Sequence, residues 1–379
     1  MSMNPFKPTA GKMPPILIGR QGVIDVFTEG LENGAGAPGR RMLVMGRRGY
    51  GKTVMLTELC RIALDAGWDV VSDTASAGLC DRLVESLDAR PMKIQKATVG
   101  PSLSIAGVAS LSVGQLDLSS TATSLDLRKS IERRLRRLPR GKGVLFTIDE
   151  TQAASLDELE SLATALQHVV RDQDLDDSPD SEKKGVAFAF AALPSIVDEV
   201  LNNKVLAFLR RSLHVRLDNV DVLDVREAYL ETIASSGKSI SLELAEKAAC
   251  ATAGYPYMIQ LVGYYLWQSA HRRKAREISD ADVEQGIKDA TVAFGNAVCA
   301  PVFNGLAEPQ QNFLEAFARL SADSADVGEI AKEAGKSMSW ASKYRRTLID
   351  AQVIEADGRG RVRFAIPRFG EYLQRAVLR

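Results

Sequence analysis

The octapeptide Gly46-Arg-Arg-Gly-Tyr-Gly-Lys-Thr53 constrains the fold more than any other part of the sequence, because it fits the pattern GxxxxGK[ST] in full. An apolar run, Met42–Met45, precedes it, and a helical pattern from Thr53 to about Ala66 follows. Glycines let the backbone curl so that successive N–H groups face a phosphate, and the start of a helix adds its dipole. Lys52 is expected to reach the β- and γ-phosphates, and Thr53 to offer its hydroxyl group to Mg²⁺. The sequence therefore predicts a strand, a phosphate-binding loop and a helix, in this order.

A second apolar run, Val144–Ile148, ends in two acidic residues, Asp149 and Glu150. The run predicts a buried central strand, and parallel sheets bind their ligands at the carboxyl ends of such strands. Asp149 is expected to hold Mg²⁺ through water, and Glu150 to polarise the water that attacks the phosphate. Because a phosphate-binding loop lies upstream, the acidic pair predicts the second half of an ATP site. A Glu directly after the Asp also separates the chain from kinases and Ras-like GTPases.

Helices alternate with short apolar strands along the first half of the chain. This order predicts an α/β fold with a parallel sheet that is covered on both faces. Further strands are expected at Asp69–Ser72 and Val186–Ala192, and further helices at Leu125–Leu138 and Leu156–Val170. Residues Pro101–Leu118 alternate apolar with small polar side chains, which predicts an inserted β-hairpin.

Composition excludes several other classes of protein. The 379 residues include 48 Lys and Arg and 48 Asp and Glu, so no overall charge favours nucleic acid or a membrane. The four cysteines (Cys60, Cys80, Cys250 and Cys299) lack the spacing of a zinc ribbon and indicate no disulfide framework. No apolar run approaches the roughly 20 residues of a transmembrane helix, and the N-terminus lacks the apolar segment of a signal peptide. We therefore expect a cytoplasmic protein without a membrane partner.

The second half of the chain begins with a helical region, from Val222 to about Ala297, in which Ser241 and Ser279 are expected to cap helices. The last part then predicts three helices, Glu308–Leu320, Val327–Ala334 and Ser337–Ile349. A hairpin follows, with Val353–Ala356 and Arg361–Ile366 as strands on either side of the turn Asp357–Gly360. Three helices and a β-hairpin are the parts of a winged helix.

On a winged helix the third helix enters the major groove of DNA, and the wing contacts the backbone or the minor groove. The residues expected to face double-stranded DNA on these two elements are Ser339, Ser342, Lys343, Arg345, Arg346, Arg359, Arg361 and Arg363. From Lys332 to Arg379 the chain has eleven Lys and Arg against five Asp and Glu, which is the local excess of positive charge that duplex binding requires. Many winged helices bind proteins instead, so a protein-docking surface is the alternative.

With these motifs, the chain resembles the AAA+ ATPases that are related to the archaeal and eukaryotic origin-recognition initiators and to the signal-transducing STAND ATPases. The resemblance implies a core with a parallel five-stranded sheet and helices on both faces, an α-helical lid and a C-terminal winged helix. It implies ATP or ADP and Mg²⁺ as cofactors. The residues that it places around the nucleotide are Gly19 and Arg20 of the box Ile16–Arg20, then Gly46, Arg47, Arg48, Gly49, Tyr50, Gly51, Lys52, Thr53 and Val54, and finally Tyr255 and Pro256 at the start of a lid helix.

The same resemblance places Arg210 and Arg211, just before a last core strand at His214–Leu217, at the position of an arginine finger. Such a residue completes the ATP site of a neighbouring subunit and acts there as a catalytic residue, beside Glu150 and Lys52. It therefore implies a homo-oligomer. An ordinary basic helix end is the alternative for both arginines.

Two departures from the family concern the stabilisation of transition-state charge. The family carries a polar sensor-1 side chain where this chain has Ala191 and Ala192. The sensor-2 arginine of the initiators is missing from the turn Tyr255-Pro-Tyr257. Each missing group would stabilise charge that develops during hydrolysis, so we expect slow turnover and the role of a nucleotide switch.

Three functions are consistent with the sequence. The first is an ATP-controlled, DNA-binding AAA+ protein with a core at 1–220, a helical lid at 221–300 and a winged helix at 301–379. The second is a STAND-type regulatory switch whose winged helix docks a protein partner. The third is a nucleotide-binding scaffold that has lost turnover.

Overall fold

The apolar runs of the first half form one sheet. Strand β1 (Arg41–Met45) lies inside it, paired on one side with β4 (Gly185–Ala192) and on the other with β5 (Leu213–Arg216). Strand β3 (Gly143–Asp149) pairs with β4 and with the edge strand β2 (Asp69–Thr74). The order is β2-β3-β4-β1-β5 and every pairing is parallel, which confirms the predicted five-stranded parallel sheet.

The computed structural model describes residues 3–9, 12–34, 36–89, 120–194 and 207–376. The predicted hairpin at Pro101–Leu118 lies outside these residues. Within them, no helix combines the length and the apolar character needed to cross a membrane.

The chain divides into two compact units. The core unit comprises Gly22–Gly46 and Lys52–Arg216, and the C-terminal unit comprises Met1–Gln21, Arg47–Gly51 and Leu217–Arg379. The tip of the phosphate-binding motif, Arg47–Gly51, is thus grouped with the C-terminal unit although both of its neighbours in sequence belong to the core unit.

Helices cover both faces of the sheet. Every residue of β4 is buried, as is every residue of β3 before Asp149, and successive side chains of a strand point to opposite faces. Ser155 caps one of the covering helices, because its hydroxyl group accepts a hydrogen bond from the main chain of Glu158 at 3.3 Å. Among the described residues, the helices as far as β5 are α1 (Gln21–Glu32), α2 (Lys52–Asp65), α3 (Leu79–Asp88), α4 (Ser120–Arg137), α5 (Leu156–Asp174) and α6 (Ala207–Arg210).

The region after β5 is helical, as predicted. Ser241 accepts a hydrogen bond from the main-chain N–H of Leu244 at 3.2 Å and so caps its helix. The main-chain N–H of Ser279 donates to the carboxylate of Asp282 at 2.9 Å at the start of another helix. The helices are α7 (Val222–Ser235), α8 (Leu242–Thr252), α9 (Pro256–Arg272) and α10 (Asp280–Phe294), followed by a π-helix (Gly295–Cys299) and α11 (Ala300–Asn304).

The last part of the chain contains the predicted helices and hairpin and two elements more. Its elements are α12 (Glu308–Arg319), β6 (Ser324–Asp326), α13 (Val327–Glu333), α14 (Met338–Asp350), β7 (Ile354–Ala356), β8 (Arg361–Phe364) and α15 (Phe369–Ala376). Strand β8 pairs antiparallel with both β6 and β7. The sequence did not predict β6, which has only three residues, or α15. Phe364 of β8 stacks on Phe317 of α12, with ring centroids 4.2 Å apart, and so joins the sheet to the helices.

Candidate functional site

In the core unit, the phosphate-binding motif starts where β1 ends and finishes in the first turn of α2. The main-chain N–H of Gly46 donates to the carbonyl group of Ala192 at 3.3 Å, which ties this end of the motif to β4. Lys52 is the first residue of α2, and its ammonium group donates to the carbonyl group of Gly46 at 2.8 Å. The residue is only 6% exposed. A buried cation at the start of a helix is suited to binding phosphate.

The two predicted magnesium ligands lie in contact with each other. The hydroxyl group of Thr53 donates to Oδ2 of Asp149 at 2.5 Å, which joins the start of α2 to the carboxyl end of β3. The other carboxylate oxygen of Asp149 accepts from the main-chain N–H of Glu150 at 2.8 Å. A hydroxyl group and a carboxylate are hard oxygen ligands of the kind that Mg²⁺ prefers. The donor set therefore fits this ion.

Glu150 stands in an unusual backbone conformation. Its φ and ψ are 50° and 41°, in the left-handed region that residues with a side chain rarely adopt. A single turn of 3-10 helix, Thr151–Ala153, follows, and the N–H of Ala153 donates to the carbonyl group of Glu150 at 2.7 Å. Backbone strain of this kind is typical of functional sites.

Gln152, in the same turn, contacts Glu150 and was not predicted from the sequence as a site residue. The side-chain amide of Gln152 donates to the carboxylate of Glu150. Its oxygen accepts from the main-chain N–H of Leu193 at 3.2 Å. The only signal in the sequence is the polar side chain two residues after Glu150. The position of Leu193 beside it depends on the pairing of β3 with β4.

The tip of the motif, Arg47–Gly51, is held by residues of the C-terminal unit. Gly49 and Gly51 have φ values of +79° and +86°, so the loop uses left-handed conformations that glycine permits. The hydroxyl group of Tyr255 donates to the carbonyl group of Arg48 at 2.6 Å. The ring of Tyr255 packs edge-on against that of Tyr50, with centroids 5.1 Å apart. Burial raises the pKa of both phenols, so each keeps its proton at neutral pH.

Arg47, at the same tip, contacts the small C-terminal sheet. Its guanidinium group donates to the carboxylate of Glu355 in β7 and, at 2.8 Å, to the carbonyl group of Ala365. Glu355 also accepts from Nε of Arg363 in β8 at 2.5 Å. One carboxylate of the hairpin is thus shared between an arginine of the phosphate-binding motif and an arginine predicted to face DNA.

The remaining residues that were predicted to surround the nucleotide lie in two places. In the C-terminal unit, Arg20 donates to the carbonyl group of Asp218 at 2.7 Å, Gly19 has a φ of +64°, and Pro256 is the first residue of α9. In the core unit, Val54 is a partly buried residue of the first turn of α2. The arginines proposed as a finger are both exposed; Arg210 ends α6 and Arg211 follows it.

The residues predicted to face DNA lie on α14 and on the β7–β8 hairpin. On α14, Arg345 is partly buried, and its Nε is buried without a hydrogen-bond partner within the described residues. On the hairpin, Arg361 donates to the carbonyl group of Ser324 at 2.7 Å, and Arg363 pairs with Glu355. The others are exposed: Ser339, Ser342, Lys343, Arg346 and Arg359.

Comparisons with known proteins agree with this geometry. Residues 16–175 match a family model described as an AAA ATPase domain, and residues 296–373 match a domain of unknown function (DUF8462). No curated protein sequence matches the chain. The phosphate-binding motif and the acidic pair both lie within the residues that match the model of an AAA ATPase domain.

Solved structures to which the chain is similar include three from Aeropyrum pernix, Pyrobaculum aerophilum and Thermotoga maritima. The Aeropyrum pernix ORC2 protein, solved in ADPNP and ADP complexes, is 14% identical over 97% of this chain and 96% of its own, with a TM-score of 0.60. CDC6P from Pyrobaculum aerophilum is 14% identical over the same shares, with a TM-score of 0.49. The Thermotoga maritima RuvB Holliday junction branch migration motor is 16% identical over 94% of this chain and 95% of its own, with a TM-score of 0.47. At this level of identity, the similarity to the ORC2 protein shows a shared fold.

Proposed function

We propose that the chain binds ATP with Mg²⁺, hydrolyses it slowly, and couples its nucleotide state to the binding of double-stranded DNA through a C-terminal winged helix. The match of residues 16–175 to the model of an AAA ATPase domain supports the binding and hydrolysis of ATP. The hydrogen bond between Arg47 and Glu355 is the observation that supports coupling between nucleotide binding and DNA binding.

In the proposed ATP site, Lys52 binds the β- and γ-phosphates, and Thr53 and Asp149 hold the metal ion. Mg²⁺, when bound, neutralises charge on these phosphates. Glu150 accepts a proton from the attacking water at the carboxyl end of β3. The end of β4 presents only the methyl groups of Ala191 and Ala192, both fully buried. Because these groups cannot stabilise developing charge, hydrolysis is slow.

The order of elements from α12 to β8 supports the winged helix. Helix, strand, two helices and two strands follow one another, and the three strands form one antiparallel sheet. In this arrangement α14 is the helix that enters a groove, and β7–β8 form the wing. Exposed Lys343 and Arg346 on α14 and Arg359 in the turn of the wing supply positive charge for phosphate contacts.

The coupling works through competition for the guanidinium group of Arg47. Arg47 binds the carboxylate of Glu355 and the carbonyl group of Ala365, and these contacts hold the hairpin on the tip Arg47–Gly51. Phosphates that enter the motif offer Arg47 a stronger anionic partner. Once Arg47 turns to the phosphates, the hairpin is released and can dock on DNA. Nucleotide binding therefore raises the affinity for DNA.

Equilibrium binding to a labelled DNA duplex, with ATP, with ADP and without nucleotide, tests the proposal. Measurements at about 50 and 200 mM salt separate phosphate contacts from other binding. Wild-type protein should bind several-fold more tightly with ATP. Glu355→Gln should bind without nucleotide as tightly as wild type binds with ATP, and should lose the dependence on nucleotide.

Asp357→Asn is the matched control, because it removes the same charge from the turn of the same hairpin. It should raise DNA affinity in every nucleotide state and keep the difference between states. The coupling is wrong if Glu355→Gln keeps that difference in full. The DNA part of the proposal is wrong if wild-type protein fails to bind duplex at the lower salt concentration.

The second candidate is a STAND-type switch whose winged helix docks a protein. The contacts of Arg361 with Ser324 and of Arg363 with Glu355 favour it, because they occupy two of the arginines that DNA would need. Nucleotide-dependent self-association without DNA affinity, measured by light scattering, would establish this alternative. We also propose that the exposed Arg210 or Arg211 acts in a neighbouring subunit of a homo-oligomer.

A further inference from the structure

The end of β4 has no polar side chain, but a hydrogen-bonded side chain, Gln152, connects it to Glu150. The last two residues of the strand, Ala191 and Ala192, are fully buried and carry methyl groups. The next residue, Leu193, turns its main-chain N–H toward Oε1 of Gln152, 3.2 Å away. Gln152 therefore supplies a polar group at the end of β4, where the side chains of the strand are apolar.

This hydrogen bond determines the orientation of the side-chain amide of Gln152. A main-chain N–H can only donate, so the amide group must turn its oxygen to Leu193. Its nitrogen then points to the carboxylate of Glu150, to which it donates. One side chain therefore joins the end of β4 to one oxygen of the Glu150 carboxylate.

The same turn holds Glu150 from its backbone. The left-handed φ of 50° is supported by the hydrogen bond from the N–H of Ala153 and by that from the N–H of Glu150 to Asp149. A residue in such a conformation persists only where its surroundings over-determine it. Gln152 adds a contact that acts on the carboxylate itself.

We propose that Gln152 is a positioning residue for ATP hydrolysis, whose amide holds one oxygen of Glu150 so that the other faces the attacking water. The inference rests on the hydrolytic role of Glu150 proposed above. In that step the water oxygen forms a bond to the γ-phosphorus and the bond to the β–γ bridging oxygen breaks. The water proton passes to Glu150, and ADP and inorganic phosphate leave. Gln152 exchanges no atoms in the step; it restricts the rotation of the carboxylate.

Gln152→Glu separates this role from a merely structural one. The substituted carboxylate can still accept from Leu193, so a tether to β4 is kept, but it cannot donate to Glu150 and repels it. Single-turnover hydrolysis should slow by at least about tenfold. The loss of a donor that directly contacts the reacting atoms costs about 10²–10³, and Gln152 acts only through Glu150. The dissociation constant of ATP should stay within about twofold of wild type, because Lys52 and Thr53 are unchanged.

Gln167→Glu makes the same change of charge on an exposed position of α5 and should behave as wild type. If Gln152→Glu does not fold, Gln152→Ala is measured instead and should show the same loss of rate with intact ATP binding. Hydrolysis at the wild-type rate in a folded Gln152 variant overturns the inference while the proposed function stands. If Glu150→Gln hydrolyses ATP at the wild-type rate, Glu150 has no role in hydrolysis, and the inference about Gln152 is wrong as well.

Discussion

The hydroxyl group of Tyr255 donates a hydrogen bond to the carbonyl oxygen of Arg48 over 2.6 Å, so that a residue at the start of α9 fixes the tip of the phosphate-binding motif. Gly49 makes this contact possible. A Cβ atom at Gly49 would lie 2.1 Å from the hydroxyl oxygen of Tyr255. The motif therefore needs glycine here for space as well as for its φ of +79°.

Gly49→Ala should destabilise the protein more than Gly51→Ala. A left-handed alanine costs about 1–2 kcal/mol at either position, since both φ values are positive. At Gly51 no atom lies within 4 Å of the added Cβ, whereas at Gly49 the hydrogen bond of Tyr255 must also break, which costs about 1 kcal/mol more. Urea unfolding of both variants measures the difference. Equal losses would show that Tyr255 moves aside at no cost.

Lys52→Ala should reduce ATP affinity by about 100-fold or more, because hydrogen bonds to charged groups contribute about 1.5–3 kcal/mol each. Lys52 is the buried cation at the start of α2, next to the carbonyl group of Gly46. Isothermal titration with ATP measures the loss. Lys129→Ala removes an exposed lysine of α4 and should bind ATP as wild type does. Unchanged affinity in Lys52→Ala would rule out the proposed phosphate site.

Mixing two inactive variants tests whether an arginine acts across a subunit interface. Glu150→Gln should bind ATP and lose hydrolysis, and Arg210→Ala or Arg211→Ala should lose it by about 10³-fold if that residue is a finger. A mixture should recover part of the wild-type turnover, because one interface then combines an intact Glu150 with an intact arginine. Absence of recovery would leave both arginines as ordinary exposed residues at the end of α6.

Two double variants should weaken DNA binding in different ways. Replacing Arg345 and Arg346 with Ala should cost about 1–3 kcal/mol for each lost base contact and relax the sequence preference. Replacing Arg361 and Arg363 should weaken binding more uniformly and reduce the slope of log affinity against log salt by about 0.9 for each lost phosphate contact. Fluorescence anisotropy with several duplexes over a range of salt measures both effects.

A double variant of α9 and α10 is the control for these DNA measurements. Arg272→Ala with Lys288→Ala removes the same charge from exposed positions outside the predicted winged helix. It should keep the salt slope of wild type. A slope that falls equally in all three variants would mean that the charge of the whole unit attracts DNA, and that α14 and the hairpin form no specific surface.

The stability of the helical region should depend on acid pH through Asp282. Burial alone would raise the pKa of this carboxyl group, but hydrogen bonds from Arg273, from the main chain of Ser279 and from the hydroxyl group of Ser269 hold the pKa well below its usual range. A depressed pKa in the folded state means that this stabilisation is present above about pH 4 and is lost as the pH falls further.

Asp282→Asn should therefore lower the free energy of unfolding by about 1–2 kcal/mol at pH 7. The difference from wild type should shrink between about pH 4 and pH 2, because the unfolded chain takes up a proton on Asp282 in this range while the folded protein keeps the carboxylate charged. Urea unfolding at both ends of this range measures it. A difference that does not change with pH would show that packing, and not charge, explains the effect.

The positions of the four central residues of the proposed site were predictable because these residues lie in short, local motifs. Lys52 and Thr53 start the helix that follows the loop, and Asp149 and Glu150 end a strand. The carboxyl ends of parallel strands meet at one edge of a sheet, so these motifs come together in any chain that forms the sheet. The contact of Thr53 with Asp149 follows from this rule.

The contacts that hold these residues in place were not predictable in the same way. Gln152 accepts from Leu193, 41 residues later, and Arg47 binds Glu355, 308 residues later. Neither partner belongs to a motif, and a main-chain N–H group has no signature in a sequence. Strand β6 was missed for a different reason, since three residues, Ser324–Asp326, are too few to show an alternating pattern.

Strand β1 pairs on both edges with strands that are synthesised much later. Arg41 lies opposite Phe188 in β4, and Met42 lies opposite Leu213 in β5. On the ribosome, the strand that leads into the phosphate-binding motif thus emerges with both edges open, and one edge stays unpaired until residue 213 has left the exit tunnel. Open apolar edges are templates for aggregation. During synthesis the chain is therefore prone to aggregation until β5 has been made. A chain truncated before Leu213 should be insoluble.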